Sequence, residues 1–162
     1  MKIALYPGTF DPITNGHVDI LERGMELFDK VIVTVAKNST KSPIFDEVER
    51  VDMIREIIKQ RKYRNVSVEC FDGLLIDFAR KKKAIALIRG LRAISDFEYE
   101  FQMALINRKQ EESINTVFLM PHEKYTYLNS SIVRELARLN GNFKAFVPTN
   151  VYRRLIEKVG RP

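Results

Sequence analysis

The sequence predicts an α/β fold on a five-stranded parallel sheet, and three observations lead there. Short apolar runs alternate along the chain with segments whose apolar residues recur at helical spacing. One run, VIVTV at 31–35, is continuous and β-branched, as a strand covered on both faces must be. The residues with the most distinctive chemistry fall just after predicted strands, where a parallel sheet binds its ligands.

Each element follows in order. Residues 2–6 read as the first strand, and Val18, Leu21, Met25 and Phe28 mark a helix. The second strand is 31–35, and a polar loop follows it. Val48, Val51, Ile54 and Ile58 mark the next helix, and residues 66–71 the third strand. Leu75, Phe78 and Ala79 set a short helix that ends in Arg80-Lys81-Lys82-Lys83, read as a solvated basic end that suits the helix dipole. The fourth strand is 84–88. Phe97, Phe101, Ala104 and Leu105 place a helix over 96–108, and 116–120 is the fifth strand. Ile132, Leu136 and Leu139 open a helical C-terminal part, which Val151, Leu155 and Ile156 close. Strands alternating with helices predict a parallel sheet.

Bulk properties narrow the class. A chain of 162 residues suits one domain, residues 1–162, with a sizeable core. No apolar run is long enough to span a membrane, and the first residues lack the apolar core and cleavage site of a signal peptide. The single cysteine, Cys70, excludes an internal disulfide and reads as a buried thiol in a strand. A cytoplasmic protein is expected. The net charge of +6 favours anionic partners without naming them.

Four segments after strands carry the candidate chemistry. In YPGTFDPITNGH (6–17), Gly8 permits a tight turn or close backbone approach, and Thr9 and Phe10 offer amides beside it. Pro12 stiffens the loop, and Thr14 or Asn15 caps the next helix. Gly16 and His17 then sit in its first turn, where free amides and the dipole attract an anion. The plainer alternative is a weak helix start and an exposed histidine. Lys37 and Lys41 flank a polar loop that is either merely solvated or reaches a phosphate. In LIRGLRAISDFEYE (87–100), Arg89 leaves a buried strand, Gly90 turns and Arg92 follows. Guanidinium forks suit phosphate, and the alternative is pairing with Asp96, Glu98 or Glu100. In YTYLNSSIVRE (125–135), Ser130 and Ser131 cap or open a helix, Arg134 follows a turn later, and Tyr125 and Tyr127 either stack on a base or pack. No cysteine–histidine cluster has metal-ligand spacing, and His122 reads as structural.

Taken together and in order, YPGTFDPITNGH, LIRGLRAISDFEYE, VFLMP and NSSIVRE resemble the bacterial phosphopantetheine adenylyltransferases of the nucleotidyltransferase superfamily. The resemblance runs from about residue 2 to residue 156. The superfamily's H-x-G-H signature is here Thr14-Asn15-Gly16-His17, so His17 alone keeps the catalytic place. The signature I-S-S-T-x-x-R is similar to Leu128-Asn129-Ser130-Ser131-Ile132-Val133-Arg134, with Asn129 in place of the first serine.

That resemblance implies a Rossmann-like, doubly wound sheet with helices on both faces. It also implies transfer of an adenylyl group from ATP to 4'-phosphopantetheine, giving dephospho-CoA and pyrophosphate, the penultimate step of coenzyme A synthesis. It implies Mg²⁺ brought through the ATP phosphates, a homohexamer, and feedback inhibition by CoA. Carried over residue by residue, Thr9, Lys41, Leu75 and Arg89 bind the acceptor. Thr9, Phe10, His17, Gly90, Leu91, Arg92, Glu100, Tyr125, Thr126, Tyr127, Leu128, Asn129, Ser130 and Ser131 surround ATP. His17, Lys41 and Arg89 are the implied catalytic set, with His17 as a transition-state donor. Direct in-line attack without a covalent enzyme intermediate is expected, because a phosphate acceptor needs no strong base.

Two rival readings each fit part of the sequence. Another nucleotidyltransferase, acting on nicotinamide mononucleotide or a polyol phosphate, fits the first motif but not the third. A nucleic-acid-binding module fits the basic charge, but the basic residues gather at strand ends and not along one stripe. Neither nucleic acid nor a membrane is an expected partner.

Overall fold

The computed structural model describes residues 1–37 and 42–160, with backbone alone at 94 and 95. Five parallel strands form one open sheet in the order β3-β2-β1-β4-β5. They are β1 (Ile3–Gly8), β2 (Lys30–Ala36), β3 (Val66–Phe71), β4 (Ala86–Gly90) and β5 (Asn115–Leu119). The helices are α1 (Asn15–Leu27), α2 (Glu47–Gln60), α3 (Leu75–Lys81), α4 (Ile94–Gln110), α5 (Ser130–Arg138) and α6 (Thr149–Val159). Short 3-10 turns at Glu123–Tyr125 and Lys144–Phe146 join the last elements.

Alternating strand residues feed two cores, as a period of two requires. Ala4, Tyr6, Val31, Val33, Val35, Ala86 and Ile88 point to one face, where α1, α2, α5 and α6 bury Leu21, Ile54, Val133 and Leu155. Leu5, Ile32 and Leu87 point to the other, against Ile76 and Ala79 of α3. The doubly wound sheet with helices on both faces is therefore as the sequence implied. The chain runs outward from β1 to β3, then returns to place β4 on the other side of β1. Strand order reverses between β1 and β4, so their carboxyl ends frame a crevice. Gly8 ends one strand and Gly90 the other.

Several boundaries and faces differ from expectation. β1 continues to Gly8 because it pairs with β2 through Gly8↔Val35. β4 begins at Ala86, leaving Ile85 exposed, and Met120 lies beyond β5. Val48 is 63% exposed, and α2 instead buries Arg50, Val51, Met53, Ile54 and Ile57. In α5 the buried residues are Val133 and Ala137, with Ile132 and Leu139 exposed. Phe97, Phe101 and Leu105 do lie on a helix, but about half of each is exposed, so they are not core. Cys70 is only partly buried, because β3 is an edge strand. The basic end of α3 is not simply solvated: Arg80 pairs with Asp77 and Glu111, and Lys82 with Glu69.

Candidate active site at the β1–β4 crevice

The first loop makes its own architecture. Thr14 is the N-cap of α1, and its hydroxyl accepts the His17 N–H at 3.3 Å. His17 returns the contact: its Nδ1 accepts the Thr14 N–H at 3.0 Å. This reciprocal capping box has a histidine where glutamate is usual. Because Nδ1 is an acceptor, the neutral ring carries its proton on Nε2. Burial, followed by the charges of Arg92 and Arg89, lowers the His17 pKa from 6.5 to about 4. His17 is thus a neutral Nε2–H donor at physiological pH.

Phe10 adopts a left-handed backbone, φ 51°. That turn folds its ring over Gly8 and edge-on to Tyr6 and His17, with centroids 5.4 and 5.2 Å away. A Cβ at Gly8 would lie 2.8 Å from the Phe10 ring. The glycine therefore serves a close approach, and its own φ needs no glycine. Gly16 is less constrained, with ordinary contact distances around a built Cβ.

Beyond the β1 and β4 ends lies a cavity of about 150 Å³, lined by Phe10, His17, Arg89, Gly90, Arg92, Glu100 and Leu128 among others. The imidazole and both guanidiniums thus converge on one space. Both arginines are also paired, Arg89 with Glu100 and Arg92 with Asp96, as the alternative reading of the third segment expected. Arg89 donates from Nε to Glu100 at 2.7 Å, from Nη2 to Glu100 at 2.5 Å and from Nη1 to Pro7 O at 3.3 Å. Burial opposes its charge, but Glu100 more than offsets this and raises its pKa. Arg92 donates to Asp96 at 3.2 Å and to Leu128 O at 2.9 Å. A guanidinium has five N–H groups, so each keeps donors beyond these bonds among the described residues.

A neighbouring cavity of about 110 Å³ is lined by Leu75, Tyr99, Met103, Ala104, Asn107 and Thr116, and it shares Arg89 and Glu100 with the first. Leu75 therefore sits one wall away from His17. Leu91 lines an apolar hollow with Ala93, Phe97 and Met120.

The fourth segment reaches the first loop from α5. Asn129, and not Ser130 or Ser131, caps this helix: its Oδ1 accepts the Ile132 N–H at 2.9 Å. Ser130 Oγ donates to Pro12 O, and Arg134 donates to Asp11 O and Ser131 Oγ. The Ser130 and Ser131 N–H groups have no partner among the described residues. Tyr125 is partly buried under α1, Thr126 bonds Glu123 O, and Tyr127 is exposed with its ring edge-on to Phe146. Thr9 offers its carbonyl to Arg50 at 2.7 Å. Lys41 lies outside the described residues.

Three residues were missed in the sequence. Asp11 accepts the Ile44 and Phe45 N–H groups at 3.0 and 2.9 Å, tethering the far end of the loop after β2. Asp19 accepts the His122 N–H at 2.9 Å, tethering the loop after β5 to α1, and His122 Nδ1 accepts from Lys124. Arg50 is buried beneath the first loop. Asp19 and Arg50 each sit on a helix with other charged residues nearby in sequence, and only the DP dipeptide at Asp11 carries a turn signal. For a metal, the described residues contain no cluster of three or more His, Cys, Asp or Glu side chains. Glu100, the carboxylate lining the crevice, is engaged by Arg89.

Comparison with known proteins places this geometry. The family model described as cytidylyltransferase-like matches residues 5–136. Over 158 residues the chain is 52% identical to the phosphopantetheine adenylyltransferase of Alkaliphilus metalliredigens, covering 98% of this chain and 99% of that one. The enzyme of the same name from Caldanaerobacter subterraneus subsp. tengcongensis is 52% identical over 158 residues, 98% of each chain. A solved bifunctional NMN adenylyltransferase/ADP ribose pyrophosphatase from Francisella tularensis shares the fold, with a TM-score of 0.75 at 16% identity over 99% of this chain and 50% of that one.

Proposed function

The chain belongs to the phosphopantetheine adenylyltransferases of the cytidylyltransferase-like family, and from that premise we propose how its crevice performs the transfer. The reaction is adenylyl transfer from ATP to 4'-phosphopantetheine in coenzyme A biosynthesis. Dephospho-CoA and pyrophosphate are the products. The observation that carries the mechanism is the convergence of His17, Arg89 and Arg92 on one cavity at the strand-order reversal.

An oxygen of the acceptor phosphate attacks the α-phosphorus of ATP and forms a P–O bond. The bond from that phosphorus to the bridging oxygen breaks, and pyrophosphate leaves with the electron pair. No proton need be abstracted, so no general base is required. The difficulty is repulsion between two anions, and positioned donors offset it. Glu100 holds the Arg89 fork in one orientation, and the remaining Arg89 donors take the acceptor phosphate. His17 Nε2–H donates to the α-phosphate oxygen as charge grows there. A neutral imidazole can perform this task, because with Nδ1 held as an acceptor its Nε2–H remains a donor. The free amides of Ser130 and Ser131 and the remaining Arg92 donors serve the ATP phosphates. Leu75 and its cavity receive the pantetheine arm.

Among the described residues no cluster of three or more His, Cys, Asp or Glu side chains could hold a resident Mg²⁺. Mg²⁺ would enter on the phosphates of ATP and supply charge neutralisation there. We also propose a homohexamer, feedback inhibition by CoA through the acceptor subsite, and a cytoplasmic location. No helix among the described residues is long and apolar enough to cross a membrane.

The test is pyrophosphate release with ATP and each of phosphopantetheine, nicotinamide mononucleotide and a polyol phosphate. Release with phosphopantetheine alone is expected, and preference for another acceptor would refute the assignment. Arg89→Ala is expected to weaken phosphopantetheine binding by about 10- to 100-fold in calorimetry, the loss of a hydrogen bond to a charged group. Unchanged affinity would remove Arg89 from the acceptor subsite.

A further inference from the structure

Arg50 is the least expected charge in the molecule. It stands near the start of α2, at the positive end of that helix dipole, yet is only 1% exposed. Burying a charge is costly unless it is paired. Among the described residues no carboxylate forms an ion pair with Arg50. The nearby carboxylates of Asp46 and Glu49 instead accept each other's backbone N–H groups. Its hydrogen bonds go to neutral carbonyls: Asp46 O at 3.2 Å, Thr9 O at 2.7 Å and Ala36 O at 3.2 Å.

One of those carbonyls, Thr9 O, lies just past the end of β1, and another, Ala36 O, ends β2. Thr9 O belongs to the peptide that leads into Phe10. In a trans peptide the C=O and N–H point in opposite directions. Holding that oxygen turns the Phe10 N–H away from the guanidinium, and this N–H has no hydrogen-bond partner among the described residues. Phe10 lines the cavity with His17. Ala36 O closes β2, just before the loop that carries Lys37 and Lys41. Meanwhile Arg89 and Arg92, the guanidiniums in the cavity wall, are each matched by a carboxylate. Arg50 is a buried positive charge against the Thr9 and Ala36 carbonyls without such a match among the described residues.

We propose that Arg50 is a positioning residue for phosphate: its buried guanidinium fixes the Thr9–Phe10 turn and the end of β2, presents the Phe10 N–H to a substrate phosphate group and draws its countercharge from that group. This rests on the adenylyl-transfer reading for the identity of the ligand, but not for its chemistry. The phosphate can come from either substrate.

Arg50→Met removes the charge at similar length, and Arg50→Lys keeps the charge on a shorter side chain that loses the Nε–H bond to Asp46 O and the fixed guanidinium plane. Calorimetry would follow pyrophosphate, phosphopantetheine against pantetheine, and ATP against adenosine, with thermal melting alongside. Arg50→Met is expected to lose about 10- to 100-fold in affinity for pyrophosphate and for one or both phosphorylated ligands, and nothing for their unphosphorylated counterparts. The ligand that suffers identifies the source of the phosphate. Arg50→Lys is expected to fall between that variant and the wild type. Equal losses for phosphorylated and unphosphorylated ligands, or no loss, would overturn the proposal. Should Arg50→Met fail to fold, Arg50→Lys decides: a phosphate-dependent loss supports the role and wild-type affinity overturns it. If the wild type released no pyrophosphate with phosphopantetheine, the functional reading would fall, and the pyrophosphate titration would still judge Arg50.

Discussion

A histidine one residue after a glycine, at the start of a helix, has two duties here. His17 closes the capping box with Thr14, and the same hydrogen bond fixes which nitrogen bears the proton. Burial and the two arginines then keep the ring neutral down to about pH 4. A ¹⁵N-resolved NMR titration of the free protein should show His17 as the Nε2–H tautomer with a pKa well below 6.5, rising when pyrophosphate binds and offsets the arginines. An ordinary pKa, or an Nδ1–H tautomer, would contradict the assignment. Between about pH 6.5 and about pH 4 the unfolded chain takes up a proton that the native ring refuses, so this site lowers stability as pH falls through that window. For catalysis, His17→Ala should reduce kcat by ~100- to 1,000-fold while ATP affinity changes little, as for other lost transition-state donors. Equal loss of binding and turnover would make His17 a ground-state contact. His17, Arg89 and Arg92 were legible because unusual residue types follow strands at turns. Arg50 and Asp19 were not, since one charge among many on a helix looks solvated until its neighbours are known.

Among elements, the strands were the easiest to read and the helix faces the hardest. Residues 31–35 are β-branched and buried on both sides because both layers cover β2, and that pattern survives in a single stretch of sequence. The buried faces of α2 and α4 differ from the spacing for a different reason. Helical spacing locates a helix but not the partner that covers it, and a buried Arg50 on α2 inverts the usual polarity of a face. The start of α5 shows how a departure from a motif can be silent. Asn129 replaces a serine of the signature, yet its Oδ1 caps the helix. Asparagine and serine are nearly equal as N-caps. Asn129→Ser should therefore leave the melting temperature nearly unchanged, while Asn129→Ala should cost about 1 kcal/mol in denaturant unfolding. If both substitutions were neutral, the Ile132 N–H would be satisfied by water, and the cap would not anchor the free amides of Ser130 and Ser131.

For the molecule as a whole, α4 poses a problem that the isolated chain does not solve. Asp96 and Glu100 hold the site arginines, and Met103, Ala104 and Asn107 line the acceptor-side cavity. Another side of the same helix shows Phe97, Phe101 and Leu105 to solvent at 48, 47 and 48% exposure, with Met120 and Tyr99 exposed as well. Contiguous exposed apolar surface of this kind marks association. A self-associating chain would cover it, which supports the proposed hexamer and explains why apolar residues at helical spacing did not become core. Phe101→Glu combined with Leu105→Glu should then yield a smaller species in analytical ultracentrifugation, with folding preserved because neither side chain is buried. The helix that carries the association surface also carries Glu100. Loss of assembly should therefore loosen the Glu100–Arg89 pair and raise the KM for the acceptor more than that for ATP. A wild type that sediments as a monomer at micromolar concentration, or a double variant of unchanged mass, would place the association surface elsewhere. A dissociated variant with both KM values unchanged would show that α4 holds its site residues without help from a neighbour.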